Sequence, residues 1–350
     1  MASHTSATTD VNILVTGAVG FIGSAYVRML LENRAPGAGA PAVRVTVLDK
    51  LTYAGNLTNL DAVRGDRLRF VRGDILDAEL VDELMAHSDQ VVHFAAESHV
   101  DRSIRAADDF VLTNVVGTQR LLDAALRHGV EPFVLVSTDE VYGSIASGSW
   151  PEEHPLSPNS PYAASKASAD LMAFACHRTH GLDVRVTRCS NNYGPRQHPE
   201  KLIPRFVTNL LDGLPVPLYG DGRNVREWLH VEDHCRGVDL VRTAGRPGGV
   251  YHIGGGRELS NRELVGMLLE LCGADWSSVR HVPDRKGHDL RYSLDWGRAR
   301  EELGYRPARE FSSGLRSTVQ WYRENRSWWE PLKRGVTAPG GTSTVVPGVR

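Results

Sequence analysis

A short run of β-branched and apolar residues, VNILVT at 11–16, begins the regular pattern of the chain and predicts a buried strand. A turn with several glycines follows, and the apolar spacing of FIGSAYVRMLLENR then predicts a helix. Pro, Gly and Ala residues at 35–42 end this helix, and VRVTVLD predicts a second strand that finishes at Asp49. The chain therefore starts as strand, turn, helix and strand.

Further apolar runs continue this alternation, with helical patterns between them: LRFVRGD at 68–74, QVVHFAA at 90–96, PFVLVST at 132–138 and LDVRVTR at 182–188. Strands that alternate with helices indicate an α/β fold with a doubly wound, Rossmann-like parallel sheet. After Asn192 the pattern changes, because Pro- and Gly-rich connections separate shorter elements. This change predicts a smaller C-terminal lobe that binds substrate.

The same patterns predict how the chain is divided. We expect residues 11–192 to form a nucleotide-binding domain, with part of 228–258 returning to it. Residues 193–227 and 259–332 are expected to form the second lobe. Residues 1–10 and 334–350 carry little structure-forming signal and are expected to be flexible tails.

Composition narrows the classes of partner. The chain has 42 acidic and 40 basic residues, and a net charge of -2 argues against binding to nucleic acid or to a membrane surface. No apolar run approaches the ~18 residues of a membrane span, and the first ten residues lack a secretory leader, so we expect a cytoplasmic protein. Cys176, Cys189, Cys235 and Cys272 have no metal-ligand spacing, which predicts free thiols and no metal site. A small molecule is the expected partner.

Gly17, Gly20 and Gly23 form the pattern G-x-x-G-x-x-G between the first strand and the first helix. Without Cβ atoms, the backbone can turn sharply and approach a pyrophosphate at the helix N-terminus. Asp49 can accept hydrogen bonds from an adenosine ribose and would repel a 2′-phosphate, which favours NAD over NADP. One alternative is that the glycines serve only close helix packing, and Lys50 weakens the argument against NADP.

Residues after the next two strands extend this predicted cofactor site. Asp74 follows the third strand and can reach an adenine, although an exposed loop carboxylate would look the same. The stretch AAESH follows the fourth strand, at the edge where doubly wound folds bind ligands, and His99 is there either a ligand contact or a solvated loop histidine. The cofactor residues predicted in these segments are Gly17, Gly20, Phe21, Ile22, Gly23, Asp49, Lys50, Leu51, Thr52, Asp74, Ile75, Ala95, Ala96 and Ser98.

Tyr162 and Lys166 are four residues apart in PYAASKAS, so a helix places both side chains on one face. An ammonium at ~4 Å is worth about 4 kcal/mol at an effective dielectric of ~20, which would lower the pKa of a phenol by roughly three units. Tyr162 is therefore predicted to act as a base for a sugar hydroxyl during hydride removal. The pattern becomes specific behind a glycine-rich nucleotide loop and a strand that ends in Ser or Thr; that strand is PFVLVST, and Thr138 is its last polar residue.

The motifs TGAVGFIG, YAASK and the strand before Thr138 resemble the extended short-chain dehydrogenase/reductases, from about Val11 to Lys333. Within that superfamily, STDEVYG, FAAESHVDRSI, SNNYGPRQHPEKLIP, VREWLHVEDHCRG and DRKGHDLRY are similar to the dTDP-glucose 4,6-dehydratases. The resemblance implies oxidation at C4 by bound NAD, loss of water across C5–C6 and hydride return to C6. In that reaction Glu140 is the base for C5, Asp139 is the protonated acid for the C6 hydroxyl, and Thr138 hydrogen-bonds the reacting oxygen.

The resemblance also implies binding residues and an assembly. It adds Thr113, Asn192, Tyr162 and Lys166 to the cofactor site. It gives the sugar nucleotide these contacts: His99, Thr138, Asn191, Glu200, Lys201, Leu202, Pro217, Leu218, Tyr219, Arg226, Asn261, Asp284, Arg285 and His288. A homodimer is implied through the helices that carry 115–127 and 162–177.

The chain departs from the family pattern at two points. Ala18-Val19 replaces a smaller pair in the glycine loop, and Val19 is expected to add bulk close to the cofactor. Arg196 stands where an aromatic residue is common, in the turn before Lys201, where it is expected to affect substrate affinity.

Two rival functions fit the same cofactor motifs. A nucleotide-sugar 4-epimerase needs NAD, Tyr and Lys but no acid and base for elimination, so Asp139 and Glu140 discriminate against it. A catalytically silent NAD sensor is expected to have lost the Tyr/Lys pair or the acids, and this chain retains them all. The preference for dTDP over UDP rests on the resemblance alone.

Overall fold

Parallel strands form the central layer of the molecule. The computed structural model describes residues 10–32 and 42–337, with side chains up to 333. Its strands are β1 Val11–Thr16, β2 Val43–Asp49, β3 Leu68–Arg72, β4 Gln90–His93, β5 Phe133–Thr138, β6 Val184–Cys189, β7 Asn191–Tyr193, β8 Val216–Tyr219, β9 Val225–His230, β10 Val250–Ile253, β11 Arg257–Ser260 and β12 Val279–Val282. In the described ranges the central sheet has seven strands in the order β10-β6-β5-β4-β1-β2-β3. All of them run parallel, which confirms the predicted doubly wound sheet.

Helices cover both faces of this sheet. They are α1 Phe21–Glu32, α2 Ala78–Met85, α3 Val100–Arg105, α4 Asp108–Phe110, α5 Thr118–His128, α6 Pro161–His180, α7 Leu202–Leu211, α8 Val231–Ala244, α9 Asn261–Cys272, α10 Gly297–Leu303, α11 Phe311–Glu324 and α12 Arg326–Thr337. A π-helical segment, Val111–Gly117, leads directly into α5. On one face, α1 and α8 pack against the sheet and enclose one hydrophobic core. On the other face, α2, α5 and α6 enclose a second hydrophobic core. Every residue of β5 is buried, because both faces of the sheet are covered.

The second lobe is built from short elements. The strands β7, β9 and β11 form a small sheet, and β8 pairs with β12. Side chains from α7, α9 and α11 pack on these strands around Phe206, Leu264, Leu268 and Leu315. The chain returns to the central sheet at β10 after this lobe has begun.

Several predicted boundaries differ from the structure. The predicted strands at 68–74 and 90–96 end earlier, at Arg72 and His93, because the residues that follow turn away to line a cleft. The strand predicted at 182–188 is displaced to Val184–Cys189. Residues 334–337, assigned to the tail from the sequence, are the last turn of α12. The predicted tails at 1–9 and 338–350, the end of the first helix at 33–34 and the loop at 35–41 lie outside the described residues.

Within residues 10–32 and 42–337, no helix is long and apolar enough to cross a membrane. In the same part of the chain, the histidine, cysteine and acidic side chains form no cluster that could hold a metal ion. The four cysteines are free thiols.

Candidate active site

A deep cleft opens at the carboxyl ends of β1, β2, β4 and β5. Its larger part, about 320 Å³, lies over the glycine loop, and an adjoining part of about 200 Å³ faces the second lobe. Five residues line both parts: Ser98, Glu140, Asn191, Glu200 and Lys201. A ligand that spans the cleft would therefore contact both lobes at once.

Glycine is needed at the three positions of the loop for different structural reasons. Gly17 has φ +69°, and a Cβ there would lie 2.6 Å from the Ala95 backbone. A Cβ at Gly23 would lie 2.5 Å from the Gly17 carbonyl oxygen, and Gly23 does not line the cleft. Close packing thus explains these two positions, while Gly17 and Gly20 both line the cleft, with Gly20 beside the N-terminus of α1. Phe21 and Ile22 also line the cleft, so the first turn of α1 meets whatever anion binds there.

Asp49 is fixed at the end of β2 by two backbone groups. Its Oδ1 accepts from the Leu51 N–H at 2.9 Å, and its Oδ2 accepts from the Val19 N–H at 3.2 Å. Burial raises the pKa of this carboxyl, and the two hydrogen bonds oppose that rise. Lys50 and Thr52 line the cleft, but Leu51, with φ 58°, packs against the core behind it.

The outer wall of the cofactor cleft carries the other predicted contacts. Asp74 lines it and pairs with Lys50 at 3.4 Å, so this carboxylate is not simply a solvated loop residue. Because Lys50 is paired with Asp74, its charge is less available to attract the 2′-phosphate of NADP. Further predicted cofactor residues on the same surface are Ile75, Ala95, Ala96, Ser98, Thr113 and Asn192.

Neither departure from the family pattern lines the cleft. Val19 is fully buried in the core, where its side chain faces Gly55 and does not line the cleft. Arg196, with φ 67°, lies over the Trp321 ring at 5.6 Å and also stays outside both parts of the cleft. Neither side chain therefore contacts the cleft directly, and their effects on cofactor retention and substrate affinity stay predictions.

Thr138 is the last residue of β5, and Asp139 and Glu140 follow it in a single 3₁₀ turn, Asp139–Tyr142. The Thr138 hydroxyl donates to Asp139 Oδ1 at 3.2 Å and accepts from the Glu140 N–H at 3.3 Å. Burial, with the negative charges of Glu140 and Glu227, raises the pKa of Asp139 well above its usual value. Burial also raises the pKa of Glu140, while nearby Arg285, Arg226 and Lys201 oppose the rise. Two neighbouring carboxyls thus occupy different electrostatic environments.

Tyr162 and Lys166 lie on the first turns of α6, which begins at Pro161 behind the Ser160 cap. Both side chains are buried and line the cleft with Thr138. The predicted lowering of the Tyr162 pKa was wrong for the protein alone: burial and the charge of Glu140 raise it well above its usual value. The Lys166 Nζ instead donates to the Val136 carbonyl at 2.8 Å, and burial lowers the pKa of this lysine.

The smaller part of the cleft contains most of the predicted sugar-nucleotide contacts. They are His99, Asn191, Glu200, Lys201, Leu202, Pro217, Leu218, Tyr219, Arg226, Asn261, Arg285 and His288. Asp284 does not line it; its Oδ1 holds His288 Nδ1 at 2.6 Å and accepts from the Arg285 N–H. His99 is not a solvated loop histidine, because its Nε2 lies 3.6 Å from the buried Glu200 carboxylate.

Cationic groups are held at the junction of the two parts. Lys201 Nζ donates to the Ser98 carbonyl at 2.8 Å, which connects the second lobe to the loop after β4. Arg226 is 5% exposed, donates to the Asp289 carbonyl and stacks over Tyr292 at 4.2 Å. Arginine and lysine donors in a buried cleft are suited to phosphate oxygens.

Sequence reasoning missed several residues that line the cleft. Glu97, Cys189, His198 and Tyr292 are the most distinctive of them. Glu97, His198 and Tyr292 lie inside the quoted motifs, and Cys189 directly precedes one, so reading each motif as a continuous surface would have found them.

Comparison with known proteins places this geometry in a family. A family model described as GDP-mannose 4,6 dehydratase matches residues 14–318. A dTDP-glucose 4,6-dehydratase of Streptomyces antibioticus is 69% identical over 328 residues, which cover 94% of this chain and 97% of the relative.

Solved structures agree with that placement. DesIV, a dTDP-glucose 4,6-dehydratase from Streptomyces venezuelae with NAD and TYD bound, is 66% identical with a TM-score of 0.90, over 92% of this chain and 100% of that one. A UDP-glucose 4-epimerase of Thermotoga maritima with UDP-glucose is 32% identical with a TM-score of 0.83, over 90% and 100%. The chain belongs to the GDP-mannose 4,6 dehydratase family, within which it groups with the dTDP-glucose 4,6-dehydratases.

Proposed function

We propose that this protein is an NAD-dependent dTDP-glucose 4,6-dehydratase that forms dTDP-4-keto-6-deoxy-glucose. The observation that carries the proposal is the position of Asp139 and Glu140, next to Thr138 and Tyr162 where the two parts of the cleft meet. An epimerase needs only the tyrosine, lysine and cofactor. A pair of carboxyls in contrasting environments supplies the acid and the base that elimination requires.

The larger part of the cleft fits NAD in its shape and its chemistry. Gly20 leaves the N-terminus of α1 open to a pyrophosphate, and Asp49 faces the same space with its carboxylate held by backbone N–H groups. Lys50 is paired with Asp74, which leaves no lone cation in this segment to attract a 2′-phosphate. When bound there, the nicotinamide accepts the hydride from C4 and returns it to C6.

Tyr162 and Lys166 on α6 take part in the oxidation step. Tyr162 takes the proton of the C4 hydroxyl while Thr138 holds the same oxygen by a hydrogen bond. Because burial and Glu140 raise the pKa of Tyr162, the phenol needs cationic support to act as a base. Lys166, one helical turn away, supplies an ammonium that must turn from the Val136 carbonyl toward the phenol.

Asp139 and Glu140 on the 3₁₀ turn take part in the elimination step. The raised pKa of Asp139 favours its protonated form, which can donate a proton to the departing C6 hydroxyl, and this hydroxyl leaves as water. Glu140 removes the C5 proton, which the C4 ketone has made acidic. Arg285, Arg226 and Lys201 favour the ionised form of Glu140 and so keep it available as a base.

The smaller part of the cleft accounts for the nucleotide portion of the substrate. Arg226, Arg285 and Lys201 offer cationic donors to a diphosphate, and the aromatic ring of Tyr219 lies on the same wall. The dTDP moiety thus binds against the second lobe while the hexose reaches Thr138 and Tyr162 at the junction.

We propose a homodimer formed by the helices that carry 115–127 and 162–177, with α3 and the start of the π-helical segment extending the same face. Ile104, Val111, Leu112 and Leu171 are large apolar side chains that are 40–58% exposed on these elements. Leu171→Glu should lower the dimer affinity, and light scattering at micromolar concentration should detect the change. A monomeric mass for the unaltered protein would contradict the assembly.

The function is tested by incubating the protein with dTDP-glucose and UDP-glucose side by side. Mass analysis should show loss of one water from dTDP-glucose and much slower loss from UDP-glucose. A hexose product with unchanged mass but inverted C4 would instead support the epimerase. Denatured protein should release NAD, and if neither released nor added NAD supports turnover, the proposal fails.

A further inference from the structure

Asn59 connects the glycine loop to the C-terminal helix. It lies in the 3₁₀ segment Leu57–Val63 and is only 2% exposed. Its Nδ2 donates to the Val19 carbonyl at 3.0 Å, and its Oδ1 accepts from Trp328 Nε1 at 3.0 Å. One amide therefore bridges two segments that are about three hundred residues apart in a doubly wound fold.

The indole fixes which way this amide points. A tryptophan N–H can only donate, so the atom of Asn59 that faces Trp328 must be the carbonyl oxygen. The NH₂ group is then directed at the Val19 carbonyl, which can only accept. If the amide were flipped, two donors would face each other on one side and two acceptors on the other. Trp328 thus sets the orientation of Asn59.

Val19 transmits this restraint to Asp49. Its carbonyl accepts from Asn59 Nδ2 and from the Asn56 N–H, each at 3.0 Å, and its N–H donates to Asp49 Oδ2 at 3.2 Å. The second carboxylate oxygen of Asp49 is held by the Leu51 N–H. The orientation of the carboxylate that faces an adenosine ribose therefore depends on a residue whose carbonyl is restrained through Trp328.

Helix α12, which carries Trp328, is anchored in the second lobe. Trp329 is fully buried there, and its indole donates to the Tyr322 carbonyl at 2.7 Å. Arg326 pairs with Asp212 at the end of α7. The Trp328 side chain extends from this anchored helix to Asn59 in the nucleotide-binding domain. The Trp321 ring packs against it, with the two ring centroids 5.1 Å apart.

We propose that Trp328 and Asn59 are positioning residues for the dinucleotide, so that the C-terminal helix of the substrate lobe contributes to NAD affinity. This inference rests on the proposed function, because it assumes that Asp49 binds the ribose of NAD. Neither side chain lines the cleft, so both act through Val19 and Asp49.

The test compares full-length variants stripped of NAD and titrated with NAD by calorimetry. Trp328→Phe keeps an aromatic ring against Trp321 but removes the donor. Asn59→Asp keeps an acceptor for Trp328 but loses the donor to Val19. Each should weaken NAD binding about 3- to 10-fold, the scale of one net hydrogen bond. The double variant should bind NAD more weakly than the unaltered protein. Its loss of affinity should be smaller than the product of the two single losses, because both substitutions act through one amide.

Trp321→Phe is the matched control, since it removes a similar indole from the same aromatic cluster without a contact to Asn59. Its NAD affinity should be unchanged. Thermal unfolding with and without NAD supplies a second measurement: a positioning role predicts a smaller NAD-induced rise in Tm for Trp328→Phe and Asn59→Asp. Equal NAD affinity in the unaltered protein and in both variants would overturn the inference, as would equal weakening by Trp321→Phe. If the unaltered protein binds no NAD, the proposed function fails instead.

Discussion

Replacing Glu140 with glutamine should separate oxidation from elimination. Glutamine keeps the size and hydrogen-bonding capacity of the side chain but cannot readily accept the C5 proton. The residues proposed for oxidation, Tyr162, Thr138 and Lys166, remain unchanged. Loss of a general base usually slows a step by about 10²- to 10⁴-fold, which raises the barrier by about 3–5 kcal/mol. Substrate that is oxidised at C4 should therefore accumulate.

A second consequence of this substitution concerns Asp139. The charge of Glu140 is one cause of the raised pKa of Asp139, so glutamine removes that contribution. The residual elimination by Glu140→Gln should then lose its protonated acid at a lower pH, and its alkaline limit should move down.

Rapid-mixing absorbance of the reduced cofactor and deuterium uptake at C5 together measure this variant. The expected result is reduced cofactor in the presence of dTDP-glucose, with little deuterium at C5 and little water lost. Asp139→Asn should retain more C5 exchange, because it impairs only protonation of the leaving hydroxyl. Glu153→Gln, at a carboxylate that is 68% exposed, is the matched control and should behave as the unaltered protein. Normal C5 exchange by Glu140→Gln would refute the assigned role.

Three further predictions concern the base, the pH dependence of stability and the glycine loop. Tyr162→Phe should slow hydride transfer itself by about 10²- to 10⁴-fold, so single-turnover absorbance should show little reduced cofactor; water loss at the normal rate would exclude Tyr162 as the base. Burial lowers the pKa of three histidines to about 3, from 6.5 when exposed: His93, His234 and His252. The unfolded chain binds more protons below pH 6.5, so the free energy of unfolding should fall by about 1.4 kcal/mol per histidine at pH 5.5, and urea titrations of His234→Gln should show a weaker dependence. Gly17→Ala should destabilise the fold by about 1–3 kcal/mol or more, because Gly17 has φ +69° and a Cβ would meet the Ala95 backbone. Gly129→Ala has a similar φ of +65° with open space around it, so a similar loss in both variants would show that the Ala95 contact is unimportant.

The sequence predicted the central sheet well because its inner strands are largely apolar and buried, as VNILVT and FVLVST are. Strands β2 and β5 end at polar residues of the predicted site, Asp49 and Thr138. Strand ends were less accurate where apolar residues continue past the sheet, as Phe94 and Ala95 do when they turn to line the cleft. Hydrophobicity does not distinguish a residue that faces a core from one that faces a ligand.

The electrostatics of the site were harder to predict than its composition. Spacing placed Tyr162 and Lys166 on one helical face, but it could not reveal that Lys166 donates to the Val136 carbonyl or that Glu140 lies close enough to raise the phenol pKa. The side chains of Val19 and Arg196 also depended on packing that only the folded chain displays. Long-range contacts and burial decide such properties, and neither is encoded in a local motif.

The position of both elimination groups on one turn has an evolutionary consequence. Asp139 and Glu140 are successive residues, so two adjacent codons carry the entire proposed machinery for water loss. Oxidation uses residues of β5 and α6 and would survive their replacement. A UDP-glucose 4-epimerase of similar fold is 32% identical to this chain, so the same fold also supports a reaction without loss of water. A lineage could gain or lose dehydration without rebuilding its cofactor site, which makes this turn the natural place to redirect the reaction by design.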